Sequence, residues 1–344
     1  MVGAALKRVK LSFAGRVWVS FVDRSRGVEQ IIRWAEHGVG FPIVIYGPEG
    51  CGKTAFLRQA SEVLREYGYS VVYVNPLASI PEDRLDVSEE LRGLLSEVPG
   101  DLGSALRIIE VSAELLYRVV RRGLRRRIAL LADDVFQAIG LDRAEQLVKS
   151  LLNMIEHPSI AYERIVILIA SSDGVTRERI GRHRWAEIRG MWNMPREGFE
   201  ELYNQIPGEK PSIDDIWIYT GGNPWILSKL YLSSWRVGDV VEEIIHIKSL
   251  TREFIARYRR HLERAIEDPD YLWREPERDE HAGQLLRELI ERNLVIYPLP
   301  KRIESLWIDN PPPERDPELG IGRYVAWQTP LYRIAVRKAL VEIS

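Results

Sequence analysis

An α/β fold built on a three-layer, mostly parallel sheet is predicted for the first part of this chain by three features of its sequence. Short apolar runs recur at wide intervals, as buried parallel strands do, and stretches with helical spacing separate them. A glycine-rich turn joins the run Phe41–Tyr46 to the helical pattern that follows it. From Pro195 onward the apolar runs stop and closely spaced helical patterns replace them. We therefore predict an α/β domain followed by smaller, mainly helical domains.

The strand and helix candidates of the α/β part alternate along the chain, which favours parallel pairing through crossover helices. Strands are predicted at Ile43–Tyr46, Ser70–Val74, Ile128–Ala132, Ile165–Ala170 and Trp185–Arg189. Helices are predicted at Ser25–His37, Thr54–Tyr67, Ser104–Arg122 and Asp142–Ile155.

The second part of the chain begins with short helices and ends with a mixed pattern. The helices are predicted at Glu197–Gln205, Asp214–Tyr219, Pro224–Ser233, Asp239–Lys248 and Glu253–Ile266. The charged, proline-bearing segment Asp268–Asp279 is predicted to be a linker. After it come a helix at Gly283–Arg292, strands at Leu294–Tyr297, Ser305–Ile308 and Tyr324–Trp327, and a helix at Leu331–Leu340. This order is typical of a winged-helix domain, so the predicted domains are 1–194, 195–267 and 268–344.

Composition describes an ordinary soluble globular protein and excludes several classes of function. The net charge of -2 gives no global basic field that would attract nucleic acid. Cys51 is the one cysteine, which excludes an internal disulfide and favours a reducing, cytoplasmic location. The six histidines are scattered without metal-ligand spacing, and no early apolar segment approaches the length of a signal peptide or a membrane span.

The segment Gly47–Thr54 fits the phosphate-binding pattern G-x-x-x-x-G-K-[ST] at every fixed position. A short apolar strand precedes it and an amphipathic helix follows, so backbone N–H groups and a helix N-terminus point to one place. A chance glycine turn is the alternative, and the correct flanks argue against it. Nucleotide contacts are expected from Pro48, Glu49, Gly50, Cys51, Gly52, Lys53, Thr54 and Ala55.

Within this loop, the side chains suggest distinct tasks in binding a nucleoside triphosphate. Lys53 is expected to reach the β- and γ-phosphates, and the Thr54 hydroxyl to bind Mg²⁺. Gly50 and Gly52 allow the backbone to approach the phosphates closely.

Two acids follow the apolar run Ile128–Ala132, where ligands bind in open α/β sheets. Asp133 is expected to bind Mg²⁺, and Asp134 to polarise the attacking water. A strand that ends in a solvated acidic turn is the alternative. The complete phosphate-binding loop upstream favours the functional interpretation, an ATPase site with ATP or ADP and Mg²⁺.

Together these residues resemble the archaeal-type P-loop ATPases of the STAND class, relatives of the AAA+ and archaeal origin-initiator ATPases. The resemblance rests on the loop, the strand ending in Asp133, the element Thr220–Pro224 and the N-terminal motif Phe21–Arg24. It implies a P-loop NTPase core, a helical lid and a C-terminal winged helix, with ATP bound between core and lid. This agrees with the domains predicted above from periodicity.

The resemblance also implies a base pocket. Val22 and Arg24 would lie near the adenine, and Pro224 would pack against the base or ribose. The same proline is equally explained as the first residue of a helix. Asp23 stands where the family usually has glycine, and Gly27 where it commonly has an acid, and both departures weaken the assignment.

Two further positions carry over as candidates for sensing the γ-phosphate. Ser171 and Ser172 follow a strand, where the family has a polar sensor, although a plain turn explains them as well. Arg182 and Arg184 lie where related enzymes have an arginine finger, although surface arginines on a charged helix are the alternative. The predicted catalytic set is therefore Lys53, Asp134, Ser171 and Arg182.

Partners other than the nucleotide are less defined. The presumed wing, Asp309–Glu318, has four acids against one arginine, and phosphate contacts need the opposite sign, so DNA is not favoured. The arginines of 121–127 precede the Asp133 strand and so lie at the edge of the sheet away from the nucleotide. We expect a cytoplasmic ATPase switch, with a protein partner for the winged helix. A DNA-associated ATPase of the initiator or mobile-element type and an ADP-bound interaction module with negligible turnover are alternatives, and the oligomeric state stays open.

Overall fold

The computed structural model describes residues 7–80, 83–95, 97, 104–121, 127–157, 162–171 and 180–342. The chain divides into two compact units. The first comprises Met1–Val9, Ser25–Tyr46 and Lys53–Arg189, and the second comprises Lys10–Arg24, Gly47–Gly52 and Gly190–Ser344. No helix in the described ranges is long and apolar enough to cross a membrane.

The first unit is built on a parallel-dominated sheet. Its strands are β3 (Ile43–Tyr46), β4 (Ser70–Val74), β5 (Leu85–Val87), β6 (Arg127–Asp133), β7 (Arg164–Ser171) and the start of β8 (Glu187–Met191). They lie in the order β8-β3-β7-β6-β4-β5. The pairs β3–β7, β7–β6 and β6–β4 are parallel, which confirms the predicted mainly parallel sheet. The antiparallel edge strand β5 was not predicted, because it is short and only partly buried.

Helices of the first unit include all four that periodicity predicts. Their bounds are α1 (Ser25–His37), α2 (Lys53–Glu66), α3 (Glu89–Leu95), α4 (Ala105–Arg121), α5 (Val135–Ile139) and α6 (Leu141–Glu156). In α2, Phe56, Leu57 and Ala60 are fully buried, as the helical spacing of apolar residues requires. The additional helices α3 and α5 are too short to show a periodic pattern.

The second unit is mainly helical. Its helices are α7 (Arg196–Asn204), α8 (Ile213–Thr220), α9 (Pro224–Leu232), α10 (Val237–Ile247), α11 (Arg252–Glu267), α12 (Tyr271–Arg274), α13 (Glu280–Glu291) and α14 (Pro330–Glu342). Its strands are β1 (Lys10–Phe13), β2 (Val17–Ser20), β9 (Val295–Ile296), β10 (Trp307–Ile308) and β11 (Ala326–Trp327). β1 pairs with β2, and β9 with β11, both antiparallel.

Two segments of this unit differ from the sequence prediction. The predicted linker contains α12, with Tyr271 and Leu272 buried, and the Asp270 carboxylate accepts hydrogen bonds from the backbone N–H groups of 323–325. β10 pairs in parallel with the end of β8, Trp307 opposite Gly190, and does not join β9 and β11. Such pairings join residues far apart in the chain, so local patterns do not reveal them.

Candidate functional site

Three parallel strands of the first unit end at one edge of the sheet. β7 lies between β3 and β6, with Ser171 opposite Tyr46 and Ala170 opposite Asp133. Open α/β sheets bind ligands at this carboxyl edge. The register therefore brings the predicted residues Ser171 and Asp133 to the same edge.

Lys53 and Thr54 open helix α2 in the same unit. Lys53 is the first helical residue and is only 7% exposed, and its charge acts on the Asp133 carboxylate. The Thr54 hydroxyl donates a hydrogen bond to that carboxylate. Ala55 lies half-buried in the same turn. The first turn of α2 and the end of β6 are thus joined through side chains.

Asp133 is a buried carboxylate that accepts hydrogen bonds from several side chains. Its Oδ2 accepts hydrogen bonds from the Tyr73 hydroxyl at 2.9 Å and from Asn75 Nδ2 at 3.3 Å. Burial, and secondly the neighbouring Asp134 charge, raise the Asp133 pKa to about 6. Tyr73 and Asn75 were not among the predicted site residues. Both residues lie at or just after the end of the predicted strand Ser70–Val74, which was the one indication in the sequence. Only the pairing of β4 with β6 shows that they lie beside Asp133.

Asp134 follows in a left-handed backbone conformation, with φ at 49° and ψ at 22°. It precedes α5 as its N-cap residue without a capping side-chain hydrogen bond, and it is half-buried. Aspartate is one of the few residues that adopt this conformation readily. The turn directs the chain into α5 immediately after the Mg²⁺ candidate Asp133.

The oxygen ligands at this edge suit Mg²⁺ with a bound triphosphate. In the described parts of the chain, no group of three or more His, Cys, Asp and Glu residues is arranged to hold a metal by itself. Mg²⁺ is usually held by one or two protein oxygens together with phosphates and water. The Asp133 carboxylate, hydrogen-bonded to the Thr54 hydroxyl, matches that donor set.

The candidate sensor residues differ in their surroundings. Ser171 is buried, 2% exposed, at the end of β7. Arg182 and Arg184 lie exposed in the turn before β8. Ser172 lies outside the described residues, as do Arg122, Arg125 and Arg126 of the arginine cluster. The structure thus places Ser171 at the strand edge and leaves the roles of both arginines as predictions.

The loop residues Gly47–Gly52 belong to the second unit, and two of their glycines have left-handed φ angles. Gly50 has a φ of 75° and Gly52 a φ of 100°, where side chains are unfavourable. The Cys51 N–H donates to the Pro48 carbonyl at 3.2 Å, which closes a turn inside the loop. Cys51 is buried, and its thiol contacts the Met191 carbonyl at 3.5 Å.

Arg24 binds a carbonyl of this loop, and the base-pocket role that the family resemblance implied for it stays a prediction. Its guanidinium is buried and lies 3.3 Å from Asp309 Oδ2. It also donates to the Cys51 carbonyl at 3.0 Å and to the Trp192 carbonyl at 2.8 Å. The charge and these hydrogen-bond donors of the Arg24 guanidinium therefore face protein groups. Val22 is half-buried against the core of the second unit.

The Gly-Gly-Asn-Pro element forms the start of α9. Pro224 is the first helical residue, and the Asn223 side chain caps the helix through the N–H groups of Trp225 and Ile226. The Trp225 N–H also donates to the Gly50 carbonyl at 3.3 Å. The helix-start explanation of Pro224 is thus confirmed, and the same turn contacts the loop.

A second cation near the loop was not predicted. Lys248 is 8% exposed, and its ammonium lies 2.6 Å from Glu49 Oε2 and 4.9 Å from the centre of the Tyr332 ring. Glu49 occupies an unconstrained position of the motif, and Lys248 is 199 residues away, so no local spacing pointed to the pair.

Comparison with curated proteins finds no match for this sequence. Among solved structures, a Walker-type ATPase of Pyrococcus abyssi is similar over 92% of this chain and 96% of its own, at 14% identity and a TM-score of 0.47. Residues 21–230, more than half of the chain, match the family described as an ATPase domain predominantly from Archaea. The chain belongs to this family of ATPase domains.

Proposed function

We propose that this protein binds ATP with Mg²⁺, hydrolyses it, and acts as a switch controlled by the bound nucleotide. The observation that carries the proposal is the joining of Lys53, Thr54 and Asp133 in the first unit, where the Asp133 carboxylate is hydrogen-bonded by Thr54 and feels the Lys53 charge. These are the residue types that phosphate and Mg²⁺ need, in the order of a P-loop ATPase.

Each residue has one task in this proposal. Lys53 binds the β- and γ-phosphates, and Thr54 and Asp133 hold Mg²⁺ with water. Mg²⁺, when bound, neutralises charge that develops on the phosphate oxygens. Asp134 orients and polarises the attacking water, and Ser171 contacts the γ-phosphate. Arg182 is kept as the candidate arginine finger.

The switch part of the proposal is supported by contacts of the loop within the second unit. The Trp225 N–H and the Asn223 side chain both bind loop carbonyls, at Gly50 and Glu49 respectively. A change in loop conformation on nucleotide binding would therefore be transmitted to α9. We propose that 195–267 acts as a helical lid and 268–344 as a winged-helix domain, which binds a protein partner.

Nucleotide identity and binding provide the test. Mass spectrometry of the denatured, freshly purified protein identifies any copurified nucleotide. Isothermal titration then compares wild type with Lys53→Ala, which we expect to lose ATP binding while its circular dichroism is unchanged. Lys301→Ala is the matched control, because its exposed side chain lies outside the loop. Unchanged ATP affinity in Lys53→Ala would remove the proposal.

Turnover and DNA affinity separate the remaining candidates. Binding of ADP without measurable phosphate release would favour a static, nucleotide-stabilised module. For duplex DNA we expect only weak, non-specific affinity, at or above a Kd of about 10⁻⁶ M at physiological salt. Tight binding with a steep salt dependence in a fluorescence-anisotropy titration would favour the initiator-like alternative.

A further inference from the structure

Both peptide groups of the loop residue Glu49 are bound by side chains from distant parts of the second unit. The Glu49 N–H donates to Gln328 Oε1 at 2.7 Å. The Glu49 carbonyl accepts from Asn223 Nδ2 at 2.9 Å. Neither contact involves the fixed residues of the phosphate-binding motif.

These two side chains are linked to each other through Asn193. Asn223 Nδ2 also donates to Asn193 Oδ1 at 2.8 Å, and Asn193 Nδ2 donates to the Gln328 carbonyl at 2.8 Å. Hydrogen bonds therefore run from Glu49 to Gln328, Asn193 and Asn223 and back to Glu49. We call this closed circuit the amide ring.

The orientation of Asn223 in the amide ring is fixed by its role as a helix cap. Its Oδ1 accepts the N–H groups of Trp225 and Ile226 at 3.0 Å and 3.1 Å. The Asn223 Nδ2 group therefore faces Glu49 and Asn193. One of its two hydrogens is donated to the Glu49 carbonyl and the other to Asn193 Oδ1. The start of α9 thus sets the direction in which the ring binds the loop.

Burial makes the amide ring costly to break. Asn193, Asn223 and Gln328 are 4%, 0% and 3% exposed. Water cannot readily replace a lost partner at such positions, so removing one member leaves another buried polar group unsatisfied.

The loop needs such external support because of its glycines. Gly50 and Gly52 have left-handed φ angles, and glycine populates many other conformations almost as readily. A loop that must be ordered on binding loses affinity through that ordering, whereas a preordered loop does not. Fixing both peptide groups of Glu49 restricts the chain directly before Gly50.

We propose that Asn193, Asn223 and Gln328 are positioning residues for nucleotide binding, which preorder the phosphate-binding loop through the Glu49 backbone. The inference rests on the proposed ATP-binding function. It gives three buried polar residues a task in ligand binding, through their hydrogen bonds to the loop backbone and to one another.

The test compares two neighbouring buried residues. Gln328→Met retains length but removes the acceptor of the Glu49 N–H. Thr329→Val is the matched control, because it removes a buried hydroxyl whose hydrogen bond goes to the Tyr332 N–H at the start of the last helix. Both variants lose one side-chain to backbone hydrogen bond, so we expect similar shifts of the thermal midpoint without nucleotide.

Affinity for N-methylanthraniloyl-ADP and the steady-state constants for ATP are then measured. Loss of one hydrogen bond that orders the loop predicts a Kd about threefold to tenfold higher for Gln328→Met, and less than twofold for Thr329→Val. KM should rise while kcat changes little, because the reacting groups are untouched. Asn193→Ala, on the opposite side of the ring, should act in the same direction and serves if Gln328→Met does not fold.

Two results would overturn the inference. One is wild-type affinity in both ring variants, and the other is an equal loss in Thr329→Val, which would mean that general destabilisation is responsible. A wild-type protein that binds no nucleotide would instead refute the proposed function itself, so the two failures are distinguishable.

Discussion

Two glycines of the phosphate-binding loop are required for different physical reasons, and the difference is measurable. A Cβ on Gly47 would lie 1.9 Å from the Met191 carbonyl oxygen and 3.0 Å from its carbonyl carbon. A Cβ on Gly52 would meet nothing within 4 Å, but the residue has a φ of 100°. Gly47 is thus needed for close backbone approach, and Gly52 for its conformation.

The geometry sets the size of each effect. To reach even 3.0 Å in Gly47→Ala, the Cβ and the Met191 oxygen must separate by about 1.1 Å, since 3.0 minus 1.9 is 1.1. The obstacle is backbone, which no side-chain rotation relieves, so we expect a loss of about 3 kcal/mol or more in the free energy of unfolding. Gly52→Ala incurs only the left-handed strain, about 1–2 kcal/mol.

Urea unfolding without nucleotide, followed by circular dichroism, measures both losses. Gly40→Ala is the control, because a Cβ there meets nothing within 4 Å and its φ is ordinary. We expect no more than about 0.5 kcal/mol for it, as for most surface substitutions. A Gly47→Ala variant as stable as Gly52→Ala, or more stable, would refute the close-approach argument.

Three other predictions concern hydrolysis, pH dependence and the response of α9 to nucleotide. Asp134→Asn should bind ATP normally, since asparagine tolerates the left-handed turn, but phosphate release should fall by about 10² or more; unchanged turnover would exclude Asp134 as the group that activates water. Burial, and secondly the Asp309 charge, raise the pKa of the Asp23 carboxyl above its usual value of 3.8. The folded state therefore binds the carboxyl proton more tightly than the unfolded state does, and ionising Asp23 at higher pH lowers the free energy of unfolding. Asp23→Asn should therefore be more stable than wild type at neutral pH, and it should lose this advantage as the pH falls through the raised pKa of the folded state toward 3.8; a pH-independent difference in urea unfolding would contradict this. Residues 219–233 should gain hydrogen-exchange protection with ADP, and equal exchange with and without nucleotide would mean that α9 does not respond.

Local patterns predicted the sheet and its phosphate-binding loop well. The bounds of β3, β4 and α1 agree with the prediction at both ends, because a fully buried strand is continuously apolar and an amphipathic helix repeats at 3.6 residues. The short elements α3, α5 and β5 have too few residues to show a period. The second, mainly helical part was also predicted to within a few residues at α7 to α11.

Short segments of the chain are enough to predict an ATPase site: a glycine-rich loop followed by Lys53 and Thr54, and an acidic pair after a buried strand. These are properties of short segments, so residue types and their spacing are enough to predict them. Tertiary structure decided which other groups support them. Arg24 pairs with Asp309, 285 residues away, and Gln328 binds Glu49, 279 residues away. No local spacing specifies such contacts, because they arise only when folding buries polar groups that must then find partners.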